Sequence, residues 1–524
     1  MLESILKKEP VHCLIELDSE MADIPGDYEL SFKDVQVFLK SSGEELSVYI
    51  QALSSKIKQI SLIWDEPFAP GVRILCDHWE RSYGDLFFGP INPSQALPWY
   101  FAASYGRRTE CLGVKTGSGA ICSWLLTGGS VCLTLDARNG GSGVDLNGRK
   151  LLAATVVALT GEDGCSAYSA IRKFCFKMCS NPLNPDKPIY GGNNWYFAYG
   201  RSSQQEMLED GKFISSLARS ENRPFMFVDD GWQICRNDQF VGGPWSSGNR
   251  NFPDMKRLAE DLKHEGARPG IWYRPLLNCE GLPNEWRLPP GRFLSRDEDD
   301  RWFLDPSRAD VLEFIQDDIR RFRSWGYDMI KHDFSTYDIF GRWGFDMKNE
   351  LTNPGWHFSD KTKTTAEIAT NLYRCIKEAA EGAMILGCNA IGHLTAGYCQ
   401  ANRIGDDTSG VEWARTRKMG VNALAFRGVQ HGAFFAADPD CVGLTEKIPW
   451  ALNKQWLELA SIAGTPLIVS VSAKNASKEQ ADTISRAFDS ASRQQLPAEP
   501  LDWMDTFCPS VYSVNGEIKR YQWY

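Results

Sequence analysis

Aspartate residues that directly follow short apolar segments are the feature of this sequence that could do chemistry. Phe-Met-Phe-Val is followed by Asp229 and Asp230, Met-Ile-Lys-His by Asp333, and Arg-Ile-Gly by Asp406 and Asp407. Such segments are typical of buried parallel strands, whose carboxyl ends meet at one edge of a sheet. Carboxylates at that edge can act as nucleophile, general acid or general base, and they accept hydrogen bonds from hydroxyl groups. We therefore expect one site lined by several aspartates.

Large aromatic residues accompany these aspartates along the chain. Trp195, Trp232, Trp245, Trp272 and Tyr273 lie near the same predicted strand ends. An indole face stacks on the apolar C–H face of a pyranose, so the combination with carboxylates favours a sugar pocket. A metal site is the main alternative. The seven histidines form neither a His-x-His nor a His-Glu-x-x-His motif, however, and we predict no metal and no cofactor.

The two candidate catalytic carboxyl groups have different neighbours. Lys331 lies two residues before Asp333, so on a strand their side chains share a face and the cation favours an ionised Asp333. An ionised carboxylate suits a nucleophile. Asp406 and Asp407 are adjacent, and like-charge repulsion favours a proton on one of them, which suits a general acid. Arg403 either moderates that repulsion or holds a substrate hydroxyl.

A single aspartate at a strand end is more often a loop cap than a catalyst. Asp305 and Asp438 each precede a proline, and turn or cap chemistry explains them equally well. The acidic run at 297–300 is predicted to be a solvated loop. What favours catalysis is the co-occurrence of acids and tryptophans on successive predicted strands.

Residues 187–471 contain the elements that must position these side chains. Apolar segments alternate there with amphipathic helices, a rhythm typical of a closed parallel (β/α)8 TIM barrel. The segments are 190–198, 224–232, 268–277, 327–335, 383–390, 401–407, 432–440 and 465–471. Between the third and fourth segments, Asp305 is expected to cap a helix that ends at Gly326. The apolar stripe of that helix consists of Val311, Ile315, Ile319 and Phe322.

Different patterns flank the predicted barrel. Residues 1–180 combine period-two apolar alternation with turn clusters, which predicts an N-terminal antiparallel β-sandwich domain. A helix at 166–178 closes that domain, and the proline-containing segment 180–188 is a linker. Residues 472–524 contain a helical stretch followed by a short C-terminal β appendage. The predicted fold class is therefore α/β, with the barrel between two β-containing parts.

The composition argues against several classes of partner. The 524 residues carry a formal net charge of −10, whereas nucleic acids and anionic membranes require a basic face. No uncharged apolar run of roughly 18 residues or more occurs, so no membrane span is expected. The N-terminal residues lack the apolar core of a signal peptide, and the fifteen cysteines fit reduced thiols. We therefore expect a cytoplasmic protein.

Four motifs resemble those of glycoside hydrolase family 36, the bacterial α-galactosidases. They are GGNNWYFAYG, the Asp-Asp-Gly-Trp of FVDDGWQ, the segment from WFLDPSRAD to the Lys-x-Asp of KHDFS, and RIGDDTSG. The resemblance covers residues from about 187 to about 470. The order of β-sandwich, barrel and short β tail is also similar to the family.

The resemblance implies a role for each matching residue. Asp333 corresponds to the nucleophile, and Asp406 rather than Asp407 corresponds to the acid/base. The matching residues implied to contact the sugar are Asn194, Trp195, Asp229, Asp230, Trp232 and Lys331. Further candidate substrate-binding residues are Trp272, Arg274, Asn389, Arg403 and Asp407. Because members of this family often assemble, a homo-oligomer is also a candidate state.

Two positions depart from the family pattern. On the third strand the family often has an acidic residue after Gly-Ile-Trp, whereas this chain has Tyr273, Arg274 and Pro275. After the fifth strand, residues 388–393 replace the family's Gly-rich Cys-Ser-Gly segment, which is near the 2-position of the sugar in related enzymes. N-acetylgalactosamine, a modified galactose or another sugar is therefore an alternative to galactose. Arg274 also suggests an anionic or unusual substrate.

The resulting hypothesis is a retaining exo-glycosidase that hydrolyses terminal α-galactosyl-type linkages of an oligosaccharide or glycoside. Double displacement predicts that the carboxyl groups of Asp333 and Asp406 lie about 5–5.5 Å apart. Alternatives on the same barrel are an α-N-acetylgalactosaminidase and a transglycosylase of the raffinose- or stachyose-synthase type. A non-catalytic sugar-binding protein and a metal-dependent lyase or isomerase are further alternatives. The last of these needs three converging carboxylates and a Lys or His base.

Overall fold

The computed structural model describes residues 2–106, 108–237, 240–279, 281–293 and 301–524. The acidic run at 297–300, predicted to be a solvated loop, lies outside the described residues. Among the described helices, none is long and apolar enough to cross a lipid bilayer.

The N-terminal part of the chain forms two antiparallel sheets. The first has the strand order β2 (Met21–Pro25), β1 (His12–Leu17), β6 (Lys56–Asp65), β12 (Ser130–Asp136), β11 (Ile121–Leu126) and β8 (Leu97–Pro98), with β13 (Val144–Asp145) also paired to β6. The second has the order β3 (Glu29–Phe32), β4 (Val35–Ser41), β5 (Glu45–Gln51), β14 (Leu151–Thr160), β10 (Thr109–Val114), β9 (Tyr100–Ser104) and β7 (Arg73–Cys76). The predicted antiparallel character of this region is confirmed.

Period-two alternation explains why these segments are strands. Along β5 and β12, buried residues alternate with half-buried ones, so each strand presents one apolar face. Phe101 of the second sheet and Trp124 of the first pack edge to face, with ring centroids 5.8 Å apart. The apolar faces of the two sheets therefore meet at this contact.

A parallel sheet follows in the chain. Within the described residues its nine strands have the order β23 (Ala436–Asp438), β22 (Ala401–Arg403), β21 (Met384–Gly387), β20 (Met329–His332), β17 (Arg268–Tyr273), β16 (Phe225–Val228), β15 (Tyr190–Asn193), β25 (Leu467–Ser470) and β24 (Cys441–Gly443). Every predicted apolar segment contributes a strand. The strand β24 was not predicted. Two short strands, β18 (Leu277–Asn278) and β19 (Trp302–Phe303), form a separate antiparallel pair.

The two outermost strands of this sheet are consecutive in the chain. Only Pro439 and Asp440 separate the end of β23 from the start of β24, and Asp440 has a φ of +75°. Two edges that are joined by two residues must lie close together in space. The parallel sheet is therefore strongly curled, and its strand ends converge on one region.

Amphipathic helices cover the outside of the curled sheet. The longer ones are Gln204–Leu217, Met255–His264, Ala309–Trp325, Thr365–Ala379, Trp450–Ile462 and Lys478–Ala491. The stripe predicted for Ala309–Trp325 is buried, and Gly326 ends that helix with a φ of +98°. The predicted Asp305 cap is wrong, because the helix begins later and the Asp305 carboxylate accepts hydrogen bonds from the backbone of Ser307 and Ser359.

Further elements are a helix after the second antiparallel sheet, short helical turns in the parallel region and a small C-terminal sheet. Ala167–Met178 follows β14, as predicted, with Ser166 as its N-cap. Short helical turns of the parallel region are Trp195–Ala198, Ser335–Phe340, Gly344–Met347, Gly392–Thr395, Trp413–Thr416 and Asn422–Arg427. The small antiparallel sheet at the C-terminus consists of β26 (Glu499–Pro500), β27 (Val511–Val514) and β28 (Glu517–Arg520).

The helix Lys478–Ala491 packs with the helices of the parallel sheet. It contacts both Gln204–Leu217, the first long helix of that layer, and Trp450–Ile462, the long helix that precedes it in the chain. The C-terminal β sheet thus begins only after this helix. The residues after this sheet are held by the indole of Trp413, which donates a hydrogen bond to the carbonyl of Trp523 at 2.7 Å.

Candidate active site

A cavity of about 400 Å³ lies at the carboxyl ends of the parallel strands. Charged residues that line it are Arg81, Asp229, Asp230, Arg236, Lys331, Asp333, Asp406, Asp407 and Arg415. The other lining residues are Tyr83, Trp195, Val241, Trp272, Phe334, Trp343 and Phe345. The predicted meeting of aspartates and tryptophans at one edge of the sheet is therefore observed. Asp333 and Asp406 share this cavity.

Asp333 follows strand β20 and is held by neutral donors. The Trp272 indole N–H donates to Oδ2 at 3.1 Å, and the backbone N–H groups of Phe334 and Asn389 donate to Oδ1 at 2.7 and 3.1 Å. Phe334 has a φ of +63°, a conformation that non-glycine residues rarely adopt. This turn directs the Phe334 N–H at the carboxylate. Three converging N–H donors fix the orientation of the Asp333 side chain.

Lys331 pairs with Asp229 rather than with Asp333. Its Nζ lies 2.7 Å from Asp229 Oδ2, which also accepts a hydrogen bond from Asn193 Nδ2 at 2.6 Å. Burial opposes the charge on Lys331, but the Asp229 carboxylate outweighs it and keeps the pKa of Lys331 well above its ordinary value. The expectation that Lys331 pairs mainly with Asp333 is thus corrected.

Asp230 lies beside Asp229 on a tight turn. Gln233 Nε2 donates to Asp230 Oδ1 at 2.7 Å, and Arg236 Nε lies 3.5 Å from Oδ2. Burial raises the pKa of Asp230, although Gln233 and Arg236 oppose the shift. Gly231 has a φ of +119°, and a Cβ there would lie 2.6 Å from the carbonyl oxygen of Gly200. The turn after β16 therefore requires glycine at this position.

Asp406 has cationic partners. Arg81 Nη2 lies 2.9 Å from Oδ1, and Arg415 Nη2 lies 2.7 Å from Oδ2. The predicted neighbour, Asp407, has its own cation, since Arg403 Nη2 lies 3.1 Å from its Oδ1. Although burial alone would raise the pKa of Asp407, Arg403 and Arg81 lower it to about 2. The expected repulsion between the two carboxyl groups is thus replaced by ion pairing.

Arg81 comes from the 78–85 segment, which connects strands of the two N-terminal sheets. Ser82 N–H donates to the carbonyl of Ile404 at 2.9 Å, and Asp406 N–H donates to the carbonyl of Ser82 at 2.8 Å. The 78–85 segment therefore forms a short parallel bridge with the end of β22. This backbone pairing fixes Asp406 and brings Arg81 to its carboxylate.

Glu80 holds the 78–85 segment to the loops after the parallel strands. Its side chain is fully buried and accepts hydrogen bonds from Tyr83 Oη, from Gly344 N–H at 3.0 Å and from Asn389 Nδ2. Burial and the Glu80 carboxylate raise the pKa of Tyr83 well above its ordinary value. Glu80 thus connects the part of the site beside Arg81 to the part beside Asn389.

Aromatic residues form the apolar walls of the cavity. Trp195 lies on the short helix after β15, and Trp272 lies within β17. Trp343 faces the guanidinium of Arg81 at 5.2 Å, and Phe345 is about half exposed. The cavity therefore combines carboxylates, cations and flat apolar surfaces, the set that a sugar ring with several hydroxyls requires.

Two residues predicted to bind substrate lie in the packed core instead. Trp232 is fully buried, and its indole N–H donates to the carbonyl of Trp272 at 3.0 Å. Arg274 is 1% exposed and forms a bidentate pair with Asp338, at 2.6 and 3.0 Å. Neither lines the cavity, so we remove both from the substrate-binding set. The suggestion of an anionic substrate that rested on Arg274 is withdrawn with it.

Two further predicted contacts act through their neighbours. Asn389 is fully buried, with its backbone N–H on Asp333 and its side chain on Glu80. Arg403 is 1% exposed and pairs with Asp407 and Asp440, each at 3.1 Å. We therefore assign both to support of the carboxylates. Neither is among the residues that line the cavity.

Several lining residues were missed by the sequence reasoning. They are Arg81, Tyr83, Arg236, Val241, Phe334, Trp343, Phe345 and Arg415. The stretch His-Trp-Glu-Arg-Ser-Tyr-Gly-Asp at 78–85 is dense in charged and aromatic residues and lacks the alternation of the strands around it. This break in the alternation is the signal that could have identified the 78–85 segment as part of the site.

Among the described residues, no group of three or more His, Cys, Asp or Glu side chains is arranged to hold a metal ion. The carboxylates of the cavity are instead bonded to arginine, lysine, amide or indole donors.

Solved structures of α-galactosidases share this architecture. One from Thermus thermophilus, in complex with p-nitrophenyl α-D-galactopyranoside, has 18% sequence identity, a TM-score of 0.63, and coverage of 97% of this chain and 99% of its own. The family 36 enzyme AgaA from Geobacillus stearothermophilus, a variant in complex with raffinose, has 13% identity, a TM-score of 0.61 and coverage of 92% and 75%. One from Lactobacillus brevis has 12% identity, a TM-score of 0.61 and coverage of 92% and 73%.

These similarities establish the fold. No protein-family model matches the sequence. The architecture is nevertheless that of glycoside hydrolase family 36 α-galactosidases, and the predicted resemblance is confirmed at that level.

Proposed function

We propose that this chain is a retaining exo-glycosidase that hydrolyses terminal α-galactosyl-type linkages. The observation that carries the proposal is that Asp333 and Asp406 line one cavity together with three tryptophans, Trp195, Trp272 and Trp343. Structures of similar fold were solved with a galactoside and with raffinose, which supports a glycoside as the ligand.

The mechanism we propose is double displacement. Asp333 attacks the anomeric carbon while Asp406 donates a proton to the glycosidic oxygen, so the leaving group departs as an alcohol. Asp406, now ionised, then removes a proton from water. The water oxygen attacks the anomeric carbon, which releases the sugar with retained α configuration and restores the Asp333 carboxylate.

The remaining polar groups of the cavity suit hydroxyl recognition. Asp229 and Asp230 offer acceptors, and Lys331 is a fixed donor between the strands. The indoles of Trp195 and Trp272 offer faces for the C–H side of the ring. Since the Arg274 guanidinium is occupied by Asp338, a neutral sugar fits this site best.

The proposal includes the architecture around the cavity. We interpret the curled parallel sheet as a closed (β/α)8 barrel that follows an N-terminal β-sandwich domain, residues 1–180. The packing of the helix Lys478–Ala491 supports a barrel boundary after that helix rather than at residue 471. Free thiols at all fifteen cysteines support the proposed cytoplasmic location.

A panel of aryl glycosides tests the proposed function. Galactoside, N-acetylgalactosaminide, glucoside and β-L-arabinopyranoside are compared, with product anomers resolved by NMR. We expect the highest kcat/KM for the galactoside and initial release of the α anomer. Initial release of the β anomer would contradict retention, and no hydrolysis of any member would contradict the enzyme assignment. Added sucrose as acceptor reveals transfer in place of hydrolysis.

A further inference from the structure

Both carboxylate oxygens of Asp406 are paired with cations. Each oxygen accepts from a different guanidinium, Oδ1 from Arg81 at 2.9 Å and Oδ2 from Arg415 at 2.7 Å. A guanidinium donates hydrogen bonds and accepts none, so both observed pairs are those of an ionised carboxylate. A general acid must carry a proton, and a cation beside the oxygen that receives it opposes that proton. Withdrawal of one of the two cations would therefore prepare Asp406 to act as an acid.

The two arginines differ in how firmly they are held. The Arg81 side chain is 7% exposed, packs over Trp343 and also lies 3.7 Å from Asp407. The Arg415 side chain is 39% exposed and extends from the short helix Trp413–Thr416. Opening a buried ion pair strands a charge away from water, whereas an exposed guanidinium is hydrated as it leaves. Arg415 is therefore the partner that can move.

We propose that Arg415 is a positioning residue that works as a reversible latch on Asp406. In the closed state Arg415 occupies Oδ2 and keeps Asp406 ionised. When the leaving-group part of the substrate enters the cavity, it displaces Arg415 and Oδ2 takes up a proton from water. Arg81 remains in place on Oδ1 and fixes the orientation of the carboxyl group. This inference rests on the proposed function, in which Asp406 is the acid/base.

In both steps, the pairing of Arg415 with Asp406 depends on whether Asp406 carries a proton. In the first step the Oδ2 proton moves to the glycosidic oxygen as the C–O bond breaks and Asp333 bonds to the anomeric carbon. Asp406 is then ionised, and Arg415 can pair with it again once the leaving group has gone. In the second step Arg415 withdraws again as the attacking water binds, and Asp406 removes a proton from that water, which regenerates its protonated form. Between the two steps Arg415 is thus paired with the ionised carboxylate from which the second step starts.

Other charges near Asp406 have partners of their own. The ionisable groups that face it besides the two arginines are Tyr83, Lys331, Asp333 and Asp407, with Glu80 and Arg403 behind them. Asp407 is paired with Arg403, and Lys331 with Asp229. Removal of Arg415 therefore changes the charge next to Oδ2 more directly than removal of any of these groups.

The pH dependence of kcat/KM for methyl α-galactoside tests the latch, because this leaving group needs a proton. Loss of the Arg415 cation makes protonation of Asp406 easier, so the protonated enzyme persists to higher pH. We expect the alkaline limb of Arg415→Met and Arg415→Gln to move up by about one pH unit. Arg415→Lys, which keeps the charge, is expected to retain the wild-type limb. Lys418→Met is the matched control, since Lys418 is an exposed cation of the same stretch outside the cavity.

The outcomes separate the latch from the proposed function. An unchanged or lowered alkaline limb in Arg415→Met or Arg415→Gln, with an active wild type, overturns the latch alone. An equal shift in Lys418→Met also overturns it, because the effect would then be a general change of charge. A wild type without activity on any glycoside overturns the function and the latch together. The neutral Arg415→Gln variant provides the measurement if Arg415→Met does not fold.

Discussion

Asp333 and Asp406 line one cavity, but opposite kinds of partner hold them. The Asp333 carboxylate accepts from an indole and two backbone N–H groups, all uncharged and all from the parallel region. The Asp406 carboxylate is paired with two arginines, and one of them, Arg81, comes from the N-terminal part of the chain. One side of the cavity is thus organised by neutral hydrogen-bond donors and the other by positive charge.

The difference suits two different chemical tasks. Neutral donors orient a nucleophile without binding a charge that must later be released. Cations beside an acid/base, by contrast, change which protonation state is preferred, so its chemistry depends on where those cations are. From this comparison we expect variants of the Asp333 side to lose turnover on every substrate. Variants of the Asp406 side should discriminate between leaving groups.

The largest loss of activity is expected from Asp333→Asn, on the Asp333 side of the cavity. The amide cannot form the covalent intermediate, so kcat on 4-nitrophenyl α-galactoside should fall by roughly 10⁴-fold or more. The nitrophenolate leaving group needs little help from an acid, so the loss reports on the nucleophile alone. The substitution keeps the shape of the side chain, and thermal unfolding should stay close to wild type. Turnover near the wild-type rate would remove the nucleophile assignment.

A smaller but selective loss is expected from Arg81→Met. Asp406 then lacks its fixed partner, and kcat/KM for methyl α-galactoside should fall by about 10²-fold, within the range of general acid catalysis. The loss on 4-nitrophenyl α-galactoside should be markedly smaller, because that reaction depends less on the acid. Arg81→Lys should recover part of the activity.

A matched variant separates positioning from stability. Arg427 is another buried arginine that joins the N-terminal part to the parallel region, through Asp77 at 2.8 Å, but it does not line the cavity. Both Arg81→Met and Arg427→Met should lower the melting temperature. If Arg427→Met changed the ratio of the two kcat/KM values as Arg81→Met does, the positioning role of Arg81 would be refuted.

The smallest expected loss of activity comes from Trp272→Phe, which removes one of the donors to Asp333. Trp272→Phe keeps an aromatic face but removes the N–H donor to Asp333 Oδ2, so kcat should fall about tenfold, equivalent to about 1.4 kcal/mol. Both substrates should be affected alike. Trp232→Phe is the control, because Trp232 packs behind Trp272 and donates only to its carbonyl. It should reduce stability while kcat changes less than in Trp272→Phe.

Sequence reasoning succeeded where the relevant contacts are local. Each apolar segment became a strand, and the residues after β16, β20 and β22 faced one cavity because parallel strands end at the same edge. The alternation of apolar residues likewise predicted the antiparallel sheets before residue 160. The spacing of apolar residues indicated which segments are strands and which are helices. The order of the strands along the chain then indicated that the aspartates after them lie at one edge of the sheet.

The remainder of the site depends on contacts that no local pattern encodes. The sequence suggests that Asp407 is the main neighbour of Asp406, yet Arg81 and Arg415 take that place. Trp232 and Arg274 have the residue types of a sugar site but lie in the core, where Trp232 donates to the backbone carbonyl of Trp272 and Arg274 pairs with Asp338. Asp305 failed as a cap because its carboxylate serves two backbone donors outside the helix. In each case the contacts of the side chain depend on where the fold places it, which the local sequence pattern does not specify.

The bridge between Ser82 and the end of β22 has a consequence for how the molecule is made. The hydrogen bond from Ser82 to the carbonyl of Ile404 in this bridge spans 322 positions. At roughly ten residues per second, a ribosome adds the second partner about half a minute after the first. The arginine that orients Asp406 is therefore made well before its carboxylate, and most of the parallel sheet is translated between them. If the proposed function holds, a nascent chain gains activity only after this contact has formed.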